Sequence, residues 1–242
     1  MGTDNLFNKK RDARKQREVN IINQRPNRWL IVTEGTRTEP IYFRQIIDII
    51  NCHLPNEYKL NCDIYGEGKN TTSLVKSTDD LQYLIDKEVK KRIIPYDKIF
   101  VVFDRDSFDA NEFNKAIKQC EINGYIPLWS NEAIEYWFLL YFNYYDCVMS
   151  RSDYKVKIEA ELKKHSLNIE YKKNNEKCIS AIINNGSLVS ARRNAKRIYE
   201  RFNVDNISPD KANSCTAIFK FFEEVDERNK TLSLKGCKDI FK

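Results

Sequence analysis

The stretch IFVVFDRD, residues 99–106, decides the fold. Its first part is an unbroken apolar run rich in β-branched and aromatic residues, which is typical of a strand buried on both faces of a parallel sheet. Asp104 and Asp106 follow directly, so they are expected at the carboxyl end of that strand, where ligands bind in open α/β sheets. One short stretch therefore predicts both a central strand and a candidate site.

Three further strands are predicted around this one. WLIV (29–32) is a second buried run, the alternation of Leu60, Cys62 and Ile64 indicates a half-buried strand, and 125–129 gives a fourth with Pro127 favouring an edge position. Helices are predicted between them, at about 38–50 with Thr38 as N-cap, 73–91, 111–123, and from Ser130 or Asn131 onward. The alternating order predicts an α/β fold with a parallel four-stranded sheet covered by helices.

The remaining chain divides at both ends of this core. Residues 1–27 are rich in Lys and Arg and lack apolar periodicity, so we interpret them as a basic N-terminal arm before a core at 28–150. Residues 151–242 are predicted to be helical, with helices near 153–165, 176–184, 189–202 and 211–226. These extra C-terminal helices could surround the sheet or form a small subdomain, and the pattern leaves both open.

Composition limits the class of protein. The 242 residues carry a net charge of +6, which fits a nucleic-acid partner without requiring one. No apolar run approaches the roughly 18 residues of a membrane span, and the polar N-terminus is unlike a secretory signal. The missing span predicts no membrane association. The seven cysteines lack zinc spacing, which indicates reduced thiols in a cytoplasmic protein.

Acidic residues follow two of the predicted strands. Glu34 comes just after WLIV, and Asp104 and Asp106 follow 99–103. If the strands are neighbours, the three carboxylates converge, and their mutual repulsion favours a divalent cation such as Mg²⁺ or Mn²⁺. Extended backbone would point Asp104 and Asp106 to one side and Arg105 away. The plain alternative is that each is an ordinary loop acid.

Glu135 is a third candidate, because it lies in the most apolar part of the chain. A buried carboxylate needs a partner, which could be the metal site, a helix N-terminus or an arginine. Asn131, four residues earlier, could orient Glu135 or contact a substrate.

Two segments could bind substrate phosphates. Arg37 and Thr38 lie at the head of a predicted helix, where backbone amides and the helix dipole attract anions. Basic residues recur at helical spacing near the C-terminus, with Glu200 the one acid close by in sequence. A solvated helix face is the alternative reading of that run, whose members are Arg192, Arg193, Lys196, Arg197 and Arg201.

Three motifs in this order resemble the RloB-like family. They are IVTEGTRTEPIYF (31–43), VVFDRD (101–106) and SNEAIEYWFLLYF (130–142). By position, the resemblance makes Glu34 the Toprim glutamate and Asp104 and Asp106 the acidic pair, while Asn131 and Glu135 match the third motif. Tyr141-Phe142 departs from the family pattern and removes a histidine, so no histidine base is expected.

The resemblance implies a Toprim-like fold and a role in bacterial restriction or phage defence, often beside an ABC-type ATPase. The expected activity is Mg²⁺- or Mn²⁺-dependent endonuclease cleavage of RNA, tRNA included, or of DNA. Glu34, Asp104 and Asp106 would hold the metal, with Glu34 as ligand or general base and Glu135 at a second position. A non-catalytic Mg²⁺- or nucleotide-binding sensor or adaptor is the alternative, and a homodimer stays open.

Overall fold

Four parallel strands and one short antiparallel strand form a single sheet in the part of the chain that is described. A computed structural model describes residues 28–69, 71–88, 96–106, 109–203 and 207–241. The strands lie in the order β2-β1-β3-β4-β5, and β5 runs antiparallel to β4. Their bounds are β1 Arg28–Thr33, β2 Asn61–Gly66, β3 Lys98–Asp104, β4 Ile126–Asn131 and β5 Cys215–Thr216.

Helices connect and cover the strands. Within the same ranges, none of them combines the length and the apolar content needed to cross a membrane. In chain order they are α1 Thr38–Cys52, α2 Thr71–Glu88, α3 Ala110–Ile122, α4 Glu135–Leu139, α5 Arg151–Lys164, α6 Glu176–Asn185, α7 Leu188–Phe202, α8 Phe219–Thr231 and α9 Cys237–Ile240, with short 3-10 turns at Asn56–Tyr58 and Pro209–Lys211.

The predicted fold class is confirmed: the protein is α/β with a mostly parallel sheet, consistent with a Toprim-like fold carrying extra helices. The basic arm at 1–27 and the predicted end of the second helix, near 91, lie outside the described residues. Pro127 pairs with Val101 of β3, and β5 reaches only Ser130 and Asn131 of β4. Among the described strands, β4 lies between β3 and β5 and is not the edge strand that Pro127 predicted; Pro127 fits there because β5 does not extend to it.

The two central strands are buried on both faces. Leu30, Ile31 and Val32 of β1 have no exposed surface, and residues 100–103 of β3 are equally buried. On one face, Phe221 of α8 packs against Phe100, with ring centroids 5.2 Å apart. This contact places a C-terminal helix directly on the sheet, so these helices add to the layer around it.

Two helix predictions were wrong. The helix expected over 211–226 begins at Phe219, because Cys215 and Thr216 pair with Ser130 and Asn131 as β5. The helix expected from Ser130 or Asn131 is the short α4, since both residues belong to β4. Strand pairing between distant segments overrode the local helical pattern in both places.

Candidate functional site

Neighbouring strands bring Glu34 and Asp104 to one edge of the sheet. β1 and β3 pair directly, and the Glu34 amide extends the ladder by donating to the Val102 carbonyl at 2.9 Å. The Asp104 amide in turn donates to Glu34 Oε2 at 3.2 Å. Glu34 is half-buried and Asp104 is buried, so the two carboxylates meet at the carboxyl end of the sheet as predicted.

Asp106 reaches this edge by a different route from the one expected. Its backbone is not extended but lies in the left-handed region, with φ 42°, and its amide donates to the Glu132 carbonyl at 3.0 Å. Aspartate tolerates that region better than most residues. Its carboxylate pairs with Arg151, the first residue of α5. Against the effect of burial, hydrogen bonds from Ser208 and Asn114 and the charge of Arg105 lower the pKa of Asp210.

Glu135 is buried at the start of α4 and has the partner that its burial requires. Its Oε1 accepts from the Tyr171 hydroxyl at 3.3 Å and lies 3.3 Å from Lys173 Nζ. Its Oε2 is buried and has no hydrogen-bond partner among the described residues. Tyr171 and Lys173 come from the loop between α5 and α6, which no sequence signal had linked to the site.

Glu39 joins the same group, although its position in the sequence is explained equally well by the favourable dipole of a helix N-terminus. It is buried in the first turn of α1. A Cβ at position 35 would lie 2.0 Å from Glu39 Oε2, so Gly35 is needed for this carboxylate to fold back over the loop. Its pKa is raised by burial above all, and then by Glu135 and Asp106, with Lys173 opposing the shift.

Five carboxylates therefore influence one another at this edge. We call them the acid cluster: Glu34, Glu39, Asp104, Asp106 and Glu135.

Burial is the main cause of the electrostatic strain in the acid cluster. It raises the pKa of Asp104 well above the ordinary value, and Glu39, Glu135 and Asp106 raise it further. It also raises the pKa of Glu34 to about 7, against the lowering effect of the Asp104 amide. The opposing cations are Lys173 and Arg151. More carboxylates than cations share a buried site, which is the pattern expected where a charged ligand binds.

A hard divalent cation fits the donor chemistry of the acid cluster. All the donors are carboxylate oxygens, which Mg²⁺ and Mn²⁺ prefer, and the unpartnered Oε2 of Glu135 is available to an electropositive ligand. In the described part of the chain, no three His, Cys, Asp or Glu side chains converge tightly enough to hold a metal where they now stand. Arg151 and Lys173 hold two of the carboxylates in this arrangement, so a metal would compete with them.

The comparisons with known proteins identify the family. The model described as RloB-like protein matches residues 29–225, which is most of the chain and contains the whole acid cluster. This chain belongs to the RloB-like family. No curated protein and no solved structure matches it.

Other predicted site residues of this RloB-like protein have structural contacts of their own. Thr38 was expected to cap α1, but it is the first residue of the helix and its buried hydroxyl donates to Asn174 Oδ1 at 2.8 Å. Asn131 is fully buried, and its Nδ2 donates to the carbonyls of Pro209 and Asp210 at 3.1 and 2.9 Å. Asn131 thus ties a turn to β4. Arg37 is exposed beside the acid cluster's loop.

The basic run lies on α7, and its charges are largely compensated. Arg192 pairs with Asp226, and Lys196 Nζ lies 2.7 Å from Glu223 Oε1; both acids come from α8. The premise that Glu200 was the one nearby acid was therefore wrong, because sequence distance hides these partners. Arg197 lies over the Tyr144 ring at 4.8 Å, and Arg193 is exposed.

Proposed function

We propose that this RloB-like protein is a Mg²⁺- or Mn²⁺-dependent nuclease whose acid cluster cleaves phosphodiester bonds. The observation that carries the proposal is the burial of several like-charged carboxylates at the carboxyl edge of the two central strands. Such a group persists because a bound cation stabilises it. Membership of the RloB-like family supports the same reading.

Three residues of the acid cluster have proposed roles at the metal. Asp104 and Asp106 would hold the cation, with Glu34 as a further ligand. When bound, the cation would polarise the scissile phosphate and neutralise developing charge. Glu34 alternatively serves as general base for the attacking water, since its carboxylate lies beside Asp104 at the same strand edge.

The cations around the acid cluster would bind the substrate. Arg151 and Lys173 already face its carboxylates, so they stand where phosphate oxygens would arrive. Exposed Arg37, at the head of α1, could neutralise a neighbouring phosphate. On α7, Arg193 and Arg197 are also proposed to bind substrate phosphates. Arg192 and Lys196 could do so only after their ion pairs with Asp226 and Glu223 had opened.

The test is cleavage of labelled tRNA, single-stranded RNA and duplex DNA with Mg²⁺ or Mn²⁺. We expect Asp104→Ala to lower the rate by at least about a hundredfold. Asp48→Ala, an exposed acid on α1, is the matched control and should retain the full rate. A wild-type rate in Asp104→Ala would rule out the acid cluster as the nuclease site. The substrate that is cut would decide between RNA and DNA.

The second candidate is a sensor or adaptor that binds Mg²⁺ or a nucleotide without cutting. The observation that favours it is that Arg151 and Lys173 face Asp106 and Glu135, so the phosphates of a nucleotide would meet cations at this edge without a catalytic metal. By family resemblance, we propose that an ABC-type ATPase acts with this protein in phage defence. Metal binding that is lost in Asp104→Ala, with no cleavage even when that ATPase is added, would support the second candidate.

A further inference from the structure

A large cleft has a lining that contains none of the residues of the acid cluster. Its volume is about 740 Å³, within the range of small-molecule sites. Helix α3 forms one wall, and residues of α7, α8 and the Pro209–Lys211 turn complete it around Trp129 of β4.

The cleft is positively charged. Lys115 and Lys118 lie one turn apart on α3, and Lys220 enters from α8, while Glu121 is the one acid in its lining. Lys115 and Lys118 are exposed, and within the described residues neither forms an ion pair. They differ in this from the compensated cations of α7, and they leave two ammonium groups available to an anion.

Aromatic rings form the floor. Trp129 and Tyr199 line the cleft with their ring centroids 5.9 Å apart and inclined by 37°. Lys220 Nζ lies over the Tyr199 ring and donates to its hydroxyl at 3.0 Å. Trp129 is buried, so the half-buried Tyr199 is the ring that a nucleobase can contact through its π-face.

Partly buried hydrogen bonds hold the rim of the cleft. Asn114 Nδ2 donates to Ser208 Oγ at 2.6 Å and to Asp210 Oδ1 at 2.7 Å, which holds the turn against α3. Asn131 holds the same turn through the Pro209 and Asp210 carbonyls. Asn131 immediately follows Ser130, which pairs with Asp104, so the rim is joined to the strand end that carries the acid cluster.

We propose that this cleft binds a nucleotide, with its phosphates at Lys115, Lys118 and Lys220 and its base against Tyr199. The three ammonium groups select phosphate, and the aromatic floor favours a base over a purely anionic ligand. The ligand is either a free nucleotide or one unit of a nucleic-acid strand, since both present the same groups. The site does not depend on the proposed nuclease activity.

Isothermal titration calorimetry in EDTA tests the proposal, because chelation removes divalent cations from the acid cluster. The probes are ATP, inorganic tripolyphosphate and a single-stranded RNA pentamer. We expect Lys115→Ala and Lys118→Ala each to weaken ATP or pentamer binding by about tenfold. Tyr199→Leu should weaken the binding of ATP or of the pentamer more than the binding of tripolyphosphate, because only the base contacts the Tyr199 ring.

A matched variant controls for the loss of surface charge alone. Lys230→Ala, an exposed lysine on α8, should bind the probes like wild type. ATP binding assigns a free nucleotide, while pentamer binding without ATP binding assigns a strand. If neither ATP nor the pentamer binds, or if their binding is insensitive to Lys115→Ala and Lys118→Ala, the proposal is overturned. Either result stands whatever the outcome of the cleavage assay.

Discussion

The acid cluster and the basic face of α7 each bring like charges together, but only the charges on α7 are largely balanced by opposite charges. On α7, Arg192 and Lys196 each have a carboxylate from α8. In the acid cluster, burial raises the pKa of Asp104 and Glu34, and two cations face a larger number of carboxylates. The uncompensated group is the one whose electrostatics call for a ligand.

The difference follows from where the charges lie. α7 is a helix on the surface, so its long side chains reach the acids of a neighbouring helix at little cost in solvation. The acid cluster is held by strand ends and buried backbone, so its carboxylates cannot turn away to water. The largest effects of substitution are therefore expected at the acid cluster and the smallest on α7.

Removing Lys173 should have the largest effect on stability. Lys173→Met leaves Glu135, which is buried, without its cation, and we expect a loss of about 1–3 kcal/mol in the free energy of unfolding. Urea denaturation of the metal-free protein would measure it. The adjacent Lys172 pairs with Glu170 at the surface, so Lys172→Met should cost no more than about 1 kcal/mol.

A double variant tests the cause of that loss. Glu135→Gln removes the buried charge, so adding it to Lys173→Met should restore most of the stability. Equal losses in the single and double variants would show that Lys173 stabilises the fold through something other than Glu135.

Arg151 should act in the opposite direction on metal binding. Its guanidinium pairs with the Asp106 carboxylate and so competes with a cation there. We expect Arg151→Gln to bind Mn²⁺ about tenfold more tightly by calorimetry, because the acid cluster then carries one more uncompensated charge. Arg201→Gln is the control, since Arg201 pairs with Asp146, outside the acid cluster. Weaker Mn²⁺ binding in Arg151→Gln would show that Arg151 supports the metal rather than competing with it.

The metal-free protein should lose stability as the pH rises. Folding raises the pKa of Glu34 from 4.5 to about 7, so between these values the folded state holds more protons than the unfolded state. Stability then falls through this window and levels off above it, and the raised pKa values of Asp104 and Glu39 act in the same direction. Urea midpoints in EDTA from about pH 5 to about pH 8 would measure the slope.

Two variants attribute that slope. Glu34→Gln should flatten it and raise stability at the alkaline end, whereas Glu57→Gln, an exposed acid, should leave it unchanged. A slope that is as steep in Glu34→Gln as in wild type would place the titrating carboxyls elsewhere.

The sheet could be predicted from the sequence because its information is local. The apolar runs at 29–32 and 99–103 are buried strands, and the alternation of strands and helices predicts a parallel sheet, whereas the direct pairing of these two strands comes from the structure. β5 could not be predicted, since Cys215 and Thr216 form a strand only by pairing with β4. Its two residues precede an aromatic-rich helix, whose pattern conceals them.

The acid cluster was predictable only where its residues follow strands or stand in an apolar run. Glu34, Asp104, Asp106 and Glu135 all carry such a signal. Glu39 gave a competing one, because an acid in the first turn of a helix needs no other explanation. The opposing cations, Arg151 and Lys173, lie far along the chain and meet the carboxylates only through tertiary packing.

The smallest effects should distinguish the two kinds of cation on α7. Arg193 is exposed, whereas Lys196 is already paired with Glu223. If α7 contacts the substrate, Arg193→Ala should lower the slope of log affinity against log salt by about one, and Lys196→Ala should leave it nearly unchanged. Filter binding of labelled RNA to Asp104→Ala protein, over a salt series, would measure both. Equal slopes for wild type and both variants would show that α7 does not contact the substrate and that its charges have a purely structural role. A larger decrease of the slope for Lys196→Ala than for Arg193→Ala would show that the Lys196 ion pair opens when nucleic acid binds.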